Sequence, residues 1–205
     1  MPIPFIHLHV HTDDDTNTYK MLDKGDTTGV FQLESTGIQD LCRRFGISRL
    51  EDICALIAIY RPGPLQFLEE FLERKSGKIK VEYDVPEMEP ILKETYGIML
   101  YQEQIMQVIQ AIAGLSLAEA DSMRRAMAPR GVHQFEMMYA AFAHGAKMKG
   151  YTEPIAKQIW DKLFKFAVYA FNKSHAASYA LLAYRTAYLK ANYPEVYQVA
   201  LKRVR

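Results

Sequence analysis

Helical patterns follow one another along most of the chain from about residue 17, and this sustained periodicity limits the fold more than any other feature of the sequence. After Ser48, for example, apolar residues recur at Ile53, Leu56, Ile57 and Tyr60, the spacing of one face of an α-helix. Breaks that contain proline and glycine interrupt the pattern at residues 61–64, 75–86 and 128–131. The sequence therefore predicts a mainly α, largely helical protein.

Local signals predict where several helices begin and end. Ser48 and Glu51, like Ser116 and Glu119, have the spacing of a capping box, in which the serine caps the first turn and the glutamate bonds back to it. Gly114 is a typical stop, and Pro194 suits the first turn of a last helix. Residues 29–33 are expected to be extended. The helices predicted in the second half cover residues 98–113, 117–127, 135–149, 154–166, 174–191 and a last segment from residue 194.

The first residues follow a different pattern. His7, His9, His11 and Asp13 alternate with apolar residues, so a strand would place three imidazoles and a carboxylate on one face. These groups are suitable ligands for zinc or manganese-like ions. A complete site needs further ligands that the sequence does not reveal, so this short extended N-terminal segment predicts an incomplete metal site at His9 and His11.

Charge is distributed unevenly along the chain. Residues 1–100 contain 11 Lys and Arg against 17 Asp and Glu, whereas residues 101–205 contain 14 against 7. A basic second half is typical of a protein with a phosphate-bearing partner, but the charge alone favours the simpler interpretation, a lopsided solvated surface. Cys42 and Cys54 lack metal-ligand spacing, which favours reduced thiols in an intracellular protein.

Four consecutive residues where the long helical pattern at 174–191 begins can all bind an anion: Asn172, Lys173, Ser174 and His175. They stand where a helix start leaves backbone amides unpaired and where the helix dipole is positive. A helix cap formed by Ser174 alone is the simpler interpretation, but it explains only one of the four residues. We therefore predict an anion site at this helix start.

Five motifs, taken together, resemble one family. "TTGVFQLES" (27–35), "YRPGPL" (60–65), "YGIMLYQEQIMQ" (96–107), "LAEADSMRRAM" (117–127) and "FNKSHAASYA" (171–180) occur in the order seen in the α subunits of bacterial DNA polymerase III, the C-family replicative polymerases. The resemblance covers about residues 17 to 200. Five motifs in order are far more specific than any one of them.

The resemblance implies a fold and a division of the chain. Residues 17–205 resemble the helical fingers domain that closes on the incoming nucleotide. The opening "FIHLHVHTD" looks like the first strand of the metal-binding PHP domain of the same subunits, so residues 1–16 are expected to be a truncated PHP-like leader. The implied function is binding of the incoming dNTP and of primer–template DNA during template-directed DNA synthesis.

The resemblance also implies roles for individual residues. Arg124 and Arg125 match the paired arginines that reach the triphosphate in the family, although two cations in the last turn of a helix also stabilise its dipole, and Asp121 is placed to pair with Arg125. The expected nucleotide-binding residues are Arg124, Arg125, Asn172, Lys173, Ser174 and His175. The expected DNA contacts are Arg61, beside a rigid turn, and Tyr179, as a stacking surface for a base.

The catalytic aspartates of the family belong to the palm domain, and no Asp-x-Asp motif in a strand-like context occurs here. The parent polymerase, a nucleotidyltransferase, uses Mg²⁺, but this chain alone is expected neither to coordinate the ion fully nor to catalyse. By resemblance it is a bacterial cytoplasmic protein at the nucleoid, whose parent contacts other polymerase subunits through regions absent here. Two other functions stay open: a PHP-type metal-dependent phosphoesterase remnant and a helical protein-interaction module.

Overall fold

The computed structural model describes residues 13–127 and 132–204, with the side chains of residues 132–136 and 204 left aside. Within these ranges the chain is α-helical, with no β-strand beyond one isolated bridge, and the mainly α prediction is confirmed. None of the described helices has the length and apolar character needed to cross a membrane. The helices are α1 (Thr16–Asp23), α2 (Thr36–Phe45), α3 (Leu50–Ile59), α4 (Leu68–Lys75), α5 (Glu89–Leu92), α6 (Gln102–Ala113), α7 (Leu117–Ala126), α8 (Val132–Met148), α9 (Glu153–Ala167), α10 (Lys173–Asn192) and α11 (Pro194–Val204).

The chain forms two compact units. The central unit runs from Arg61 to Lys173 and contains helices α4 to α9. The terminal unit combines the residues up to Tyr60 with those from Ser174 onward, and so contains α1 to α3, almost all of α10, and α11.

Helix α6 is the centre of the central unit, where it packs against α5, α7, α8 and α9. Its residues Ile105, Val108, Ile109 and Ile112 are completely buried and have the i, i+3, i+4, i+7 spacing of a single helix face. Trp160 of α9 is also completely buried. A core of this kind fixes the two ends of α6, and the candidate site lies at one of them.

The terminal unit has an almost entirely buried helix, α3, in which every residue from Asp52 to Ile59 is inaccessible to solvent or nearly so. Helix α10 presents a buried line of small residues, Ala176, Ala180, Ala183 and Ala187, beside the buried Tyr184. The Tyr184 hydroxyl accepts a hydrogen bond from the Asp15 amide at 2.9 Å, which joins α10 to the start of α1. Small side chains on one face let a neighbouring backbone approach closely.

Both cysteines are free and buried. Burial raises the pKa of the Cys42 thiol to about 12. A thiol with so high a pKa is almost wholly protonated near neutral pH and is therefore a poor nucleophile.

Most predicted helix limits are confirmed. The capping box of Ser116 and Glu119 is present, Gly114 ends α6 in the left-handed conformation, and Pro194 is the first residue of α11. The predicted box of Ser48 and Glu51 is wrong. Helix α3 begins one residue later than that box requires. The Ser48 amide and hydroxyl therefore donate to Asp52, at 2.9 and 3.1 Å.

The extended segment expected at residues 29–33 is also wrong, because the chain forms two consecutive turns there. The Val30 amide bonds to the Thr27 carbonyl at 2.9 Å, and the Leu33 amide to the Val30 carbonyl at 3.0 Å. Gln32 has a φ of 62°, a left-handed conformation that is uncommon for residues other than glycine and that interrupts any strand. Turn geometry therefore decides the conformation of this segment.

Helix α6 begins at Gln102, four residues after its predicted start, because the buried Gln104 side chain binds the preceding segment. Its Oε1 accepts from the amides of Leu100 and Tyr101, at 2.9 and 3.0 Å. Its Nε2 donates to the Thr95 hydroxyl at 2.8 Å and to the Ile91 carbonyl at 3.2 Å. These amides bond to a side chain rather than to helical carbonyls, so the helix cannot extend backward through them.

Replacing Gln104 by Met should lower the free energy of unfolding by about 2–4 kcal/mol, since it leaves the buried Tyr101 amide without an acceptor and the Leu100 amide with the Ile98 carbonyl alone. Gln107 is exposed on the same helix, and Gln107→Met is the matched control, with an expected change within about 0.5 kcal/mol. Urea denaturation followed by circular dichroism measures both. Equal effects of the two substitutions would contradict this account of Gln104.

Candidate nucleotide-binding groove

The groove is built where the starts of α6 and α10 meet within the central unit. The Phe171 amide donates to the Leu100 carbonyl at 2.9 Å, and the Gln102 amide donates to the Phe171 carbonyl at 2.8 Å. These two bonds form a parallel bridge between Tyr101 and Phe171. The bridge holds the first residues of both helices side by side, so two positive helix ends share one region.

Glu103, in the first turn of α6, contacts the start of α10 directly. Its Oε1 accepts from the Asn172 side-chain amide at 3.1 Å, and its Oε2 accepts from the Lys173 backbone amide at 2.9 Å. The Lys173 ammonium is paired with Glu94, at 2.8 Å from Oε1 and 2.9 Å from Oε2. Two of the four residues predicted to bind an anion at this helix start, Asn172 and Lys173, thus already bind carboxylates of the same chain.

The predicted arginine pair lies in the last turn of α7. Arg124 contacts Asp121 through Nη2 at 2.8 Å, and Arg125 contacts the other oxygen of Asp121 at 2.6 Å. The Arg124 side chain is 18% exposed and that of Arg125 is 68% exposed. Arg125 can therefore reach a ligand from solvent, whereas Arg124 is held against the protein. The simpler interpretation, pairing of Asp121 with Arg125, describes a contact that is present.

The start of α7 is fixed by its capping box. The Ser116 amide and hydroxyl donate to the Glu119 carboxylate at 2.8 and 2.6 Å, and these bonds lower the pKa of Glu119 below its ordinary value. The Glu119 amide in turn donates to the Ser116 hydroxyl at 3.3 Å. The start of α7 is thus fixed, and its ten residues carry the arginine pair in the last turn.

An open groove of about 640 Å³ brings these features together in the central unit. Arg124 and Arg125 from α7 and Asn172 ahead of α10 line it with the carboxylates of Glu103 and Asp121. Gln102, Met106, Leu117 and Ala118 complete its walls. Three of the predicted nucleotide-binding residues, distant in sequence, therefore share one surface with room for several phosphate groups.

Arg61 contacts Phe171, which lies just before the start of α10. Its guanidinium carbon stands 4.4 Å from the centre of the Phe171 ring, a cation–π contact next to Asn172. The turn that follows depends on Gly63, which has a φ of 97° and packs so closely on Tyr169 that a Cβ atom would overlap the ring. The turn therefore restrains the position of Arg61, as the sequence predicts.

Ser174, His175 and Tyr179 belong to the terminal unit. The His175 and Tyr179 rings stack with centroids 4.2 Å apart, and Tyr179 packs against Phe31 at 5.3 Å. Helix α10 begins at Lys173, so Ser174 lies within the first turn and is not the N-cap that the simpler interpretation proposed. His175 is exposed and Tyr179 half-buried, so this aromatic stack presents a surface to solvent.

The proposed metal ligands His9 and His11 lie outside the described residues. Asp13, the carboxylate that follows them, is exposed. In the two ranges that the structure covers, no group of three or more His, Cys, Asp or Glu side chains is arranged to hold a metal ion. The PHP-like leader therefore stays a prediction.

Sequence reasoning missed Glu94 and Glu103. Glu103 lies in the motif "YQEQ" in the first turn of a helix, where acidic residues are common for a purely local reason, so nothing marks it as a partner of Asn172. Glu94 and Lys173 are 79 positions apart. Phe31, the partner of Tyr179, was part of a recognised motif, but its contact could not be inferred from it.

Comparison with known proteins identifies the family. The model of the bacterial DNA polymerase III alpha subunit finger domain matches residues 5–150. The chain belongs to this family. It is also 50% identical over 188 residues to the DNA polymerase III subunit alpha of Chlamydia trachomatis serovar D. The corresponding subunits of Thermus aquaticus and Campylobacter jejuni are 47% identical over 196 residues and 44% identical over 190.

These matches cover nearly all of this chain but a small part of each relative. The aligned regions include 92% of the chain for the Chlamydia and Campylobacter proteins and 93% for the Thermus protein. They include only 15% of the first of these relatives and 16% of the other two. The chain therefore corresponds to a segment of replicative polymerase subunits, and the match confirms the predicted fingers region.

Replacing Asp121 by Asn should lower the free energy of unfolding by about 1 kcal/mol, because the partly buried Arg124 loses its charged partner. Asp161→Asn is the control, since Asp161 forms an i,i+4 pair with the exposed Lys157, and its expected effect is near zero. Thermal unfolding of both variants at one salt concentration measures the difference. A larger loss for Asp161→Asn would contradict the geometry described for α7.

Proposed function

We propose that the chain binds the triphosphate of the incoming dNTP, and primer–template DNA, within a polymerase III alpha subunit during template-directed DNA synthesis. The observation that carries this proposal is the shared groove of Arg124, Arg125 and Asn172. In the transfer of a nucleotidyl group, the protein mainly positions the reacting groups and compensates the charge of the phosphates. Family membership supports a role in replication, and the groove supports a role toward phosphate.

The chemistry of each group suits a triphosphate. Arginine has a permanent charge and a planar set of donors that can bond two phosphate oxygens at once. The start of α10 supplies a backbone amide at Lys173 and the positive end of the helix dipole. Lys173 adds a full charge at the same helix start. A phosphate chain lying along the groove would meet arginine at one end and helix amides at the other.

DNA binding is proposed for Arg61 and Tyr179. Arg61 is exposed and restrained by its turn, so its charge can reach a DNA phosphate without a large loss of side-chain entropy. Tyr179 has a ring that is half-exposed beside His175, and stacking on such a ring stabilises an unpaired base by about 1–3 kcal/mol. Ser174 and His175 stay predicted contacts of the nucleotide.

The Mg²⁺ of the parent polymerase does not fit the described residues. Glu103 and Asp121 are the carboxylates of the groove, and each already accepts hydrogen bonds from neighbouring donors. The described part of the chain also offers no cluster of three potential metal ligands. We therefore derive no metal-dependent step from it and assign the metal to other regions of the parent. The proposed location is the bacterial cytoplasm, at the nucleoid, together with other polymerase subunits.

Changing Arg124 and Arg125 together to Ala should weaken binding of dNTP and of primer–template DNA by about tenfold or more, because charge-assisted bonds to phosphate are lost. The magnitude of the slope of log affinity against log salt for DNA should fall by roughly one to two. Each phosphate contact that is lost removes the counterion release that accompanied it. Fluorescence anisotropy with labelled DNA and calorimetry with dNTP measure both effects.

The matched control is Arg43→Ala with Arg44→Ala, which removes an adjacent arginine pair from the last turn of another helix, α2. It changes the net charge equally but should leave the nucleotide affinity nearly unchanged. If both double variants behave like the unaltered chain, the helical protein-interaction alternative is favoured instead.

The purified 205-residue chain should not extend a primer, because the catalytic aspartates of the family lie in the palm, outside the matched region. A gel assay with labelled primer–template, all four dNTPs and Mg²⁺ tests this. A polymerase of known activity serves as the positive control. Metal-dependent primer extension that copurifies with the chain would overturn the prediction.

A further inference from the structure

We propose that the Glu103 carboxylate occupies the position that a phosphate of the nucleotide takes, so that the nucleotide binds by displacing Glu103 from Asn172 and Lys173. This inference rests on the proposed function and adds a mechanism to it. Glu103 is a positioning residue, which keeps the site ordered while no nucleotide is bound and moves aside when one enters.

The contacts of Glu103 are those expected of a bound anion. One carboxylate oxygen accepts from the Asn172 side-chain amide at 3.1 Å and the other from the Lys173 backbone amide at 2.9 Å. Two oxygens of a phosphate group can replace both bonds, since donors of this kind serve carboxylate and phosphate equally. The amide belongs to the first residue of a 20-residue helix, where the dipole favours any anion.

The other donors of the groove are matched by carboxylates in the same way. Asp121 binds both Arg124 and Arg125, and Glu94 binds the Lys173 ammonium. The four residues of the central unit that are predicted to bind phosphate therefore all contact carboxylates of their own chain. An incoming phosphate therefore meets internal anions at these donors rather than an empty positive site.

Glu103 is the carboxylate best placed for that exchange. It lines the groove, whereas Glu94 is not among the groove residues. Asp121 shares a helix with its two arginines, and Arg125 is 68% exposed, so a phosphate can reach that side chain without removing Asp121. The Lys173 amide has one hydrogen to donate, so phosphate and Glu103 compete for it directly. Rotation of the Glu103 side chain frees the amide without any change in the backbone.

The test compares the affinity of the 205-residue chain for inorganic tripolyphosphate and for dATP by isothermal titration calorimetry. Glu103→Gln keeps the size of the side chain but removes its charge, so both ligands should bind about three- to tenfold tighter. Glu103→Ala should also increase the affinity for both ligands. It serves as a second variant because a glutamine at this position could still hydrogen-bond to the start of α10. Glu82→Gln is the control, because Glu82 lines a different cavity, is 78% exposed and carries the same charge. It should change the affinity less than twofold.

The outcomes separate this inference from the proposed function. If Glu103→Gln and Glu103→Ala bind tripolyphosphate as weakly as the unaltered chain, or more weakly, the exchange is overturned and Glu103 only supports the start of α10. If the double change of Arg124 and Arg125 to Ala weakens binding in the same experiment, the proposed function stands without the exchange. If that double change has no effect, the proposed function fails, whatever the Glu103 variants do.

Discussion

The two backbone hydrogen bonds between Phe171 and the segment from Leu100 to Gln102 are the constraint on which the candidate groove depends. They join parts of the central unit that are about 70 residues apart in sequence and bring two helix starts together. Two positive helix ends repel one another, so this arrangement needs negative charge nearby. Glu103 supplies it from the first turn of α6 by binding the first amide of α10. The bridge and the carboxylate thus support each other.

Most helix limits could be predicted, because they follow from neighbours in the sequence. Ser116 and Glu119 are three residues apart, and Gly114 needs only its own backbone freedom, so local rules are sufficient for both. Prediction failed where a side chain overrides the local pattern. Gln104 binds the amides of Leu100 and Tyr101, the last two of four residues that have helical periodicity but precede α6. Gln32, in turn, takes a left-handed conformation that propensities do not favour.

The candidate site was predictable as a set of donors and one acceptor, Asp121, whose i,i+4 spacing predicts its pair with Arg125. Resemblance to a family identified Arg124, Arg125 and Asn172, and the structure brings these three into one groove. The resemblance gave no information about the acceptors of Asn172 and Lys173, because tertiary structure alone pairs these residues with Glu103 and Glu94. Motifs report which groups a ligand would use. They do not report what those groups contact when the ligand is away.

The charge of the groove shows why composition is a poor guide to a binding surface. Residues 101–205 carry twice as many basic as acidic residues, yet the groove lined by Arg124 and Arg125 also contains Glu103 and Asp121. Its formal charges cancel, so long-range attraction of a nucleotide by this groove is small. In the proposed exchange, binding comes instead from short-range geometry, because an anion replaces carboxylates already in place. Such a surface stays ordered without its ligand. A weakly charged anion would gain little binding free energy there, because it would only replace one negative group by another.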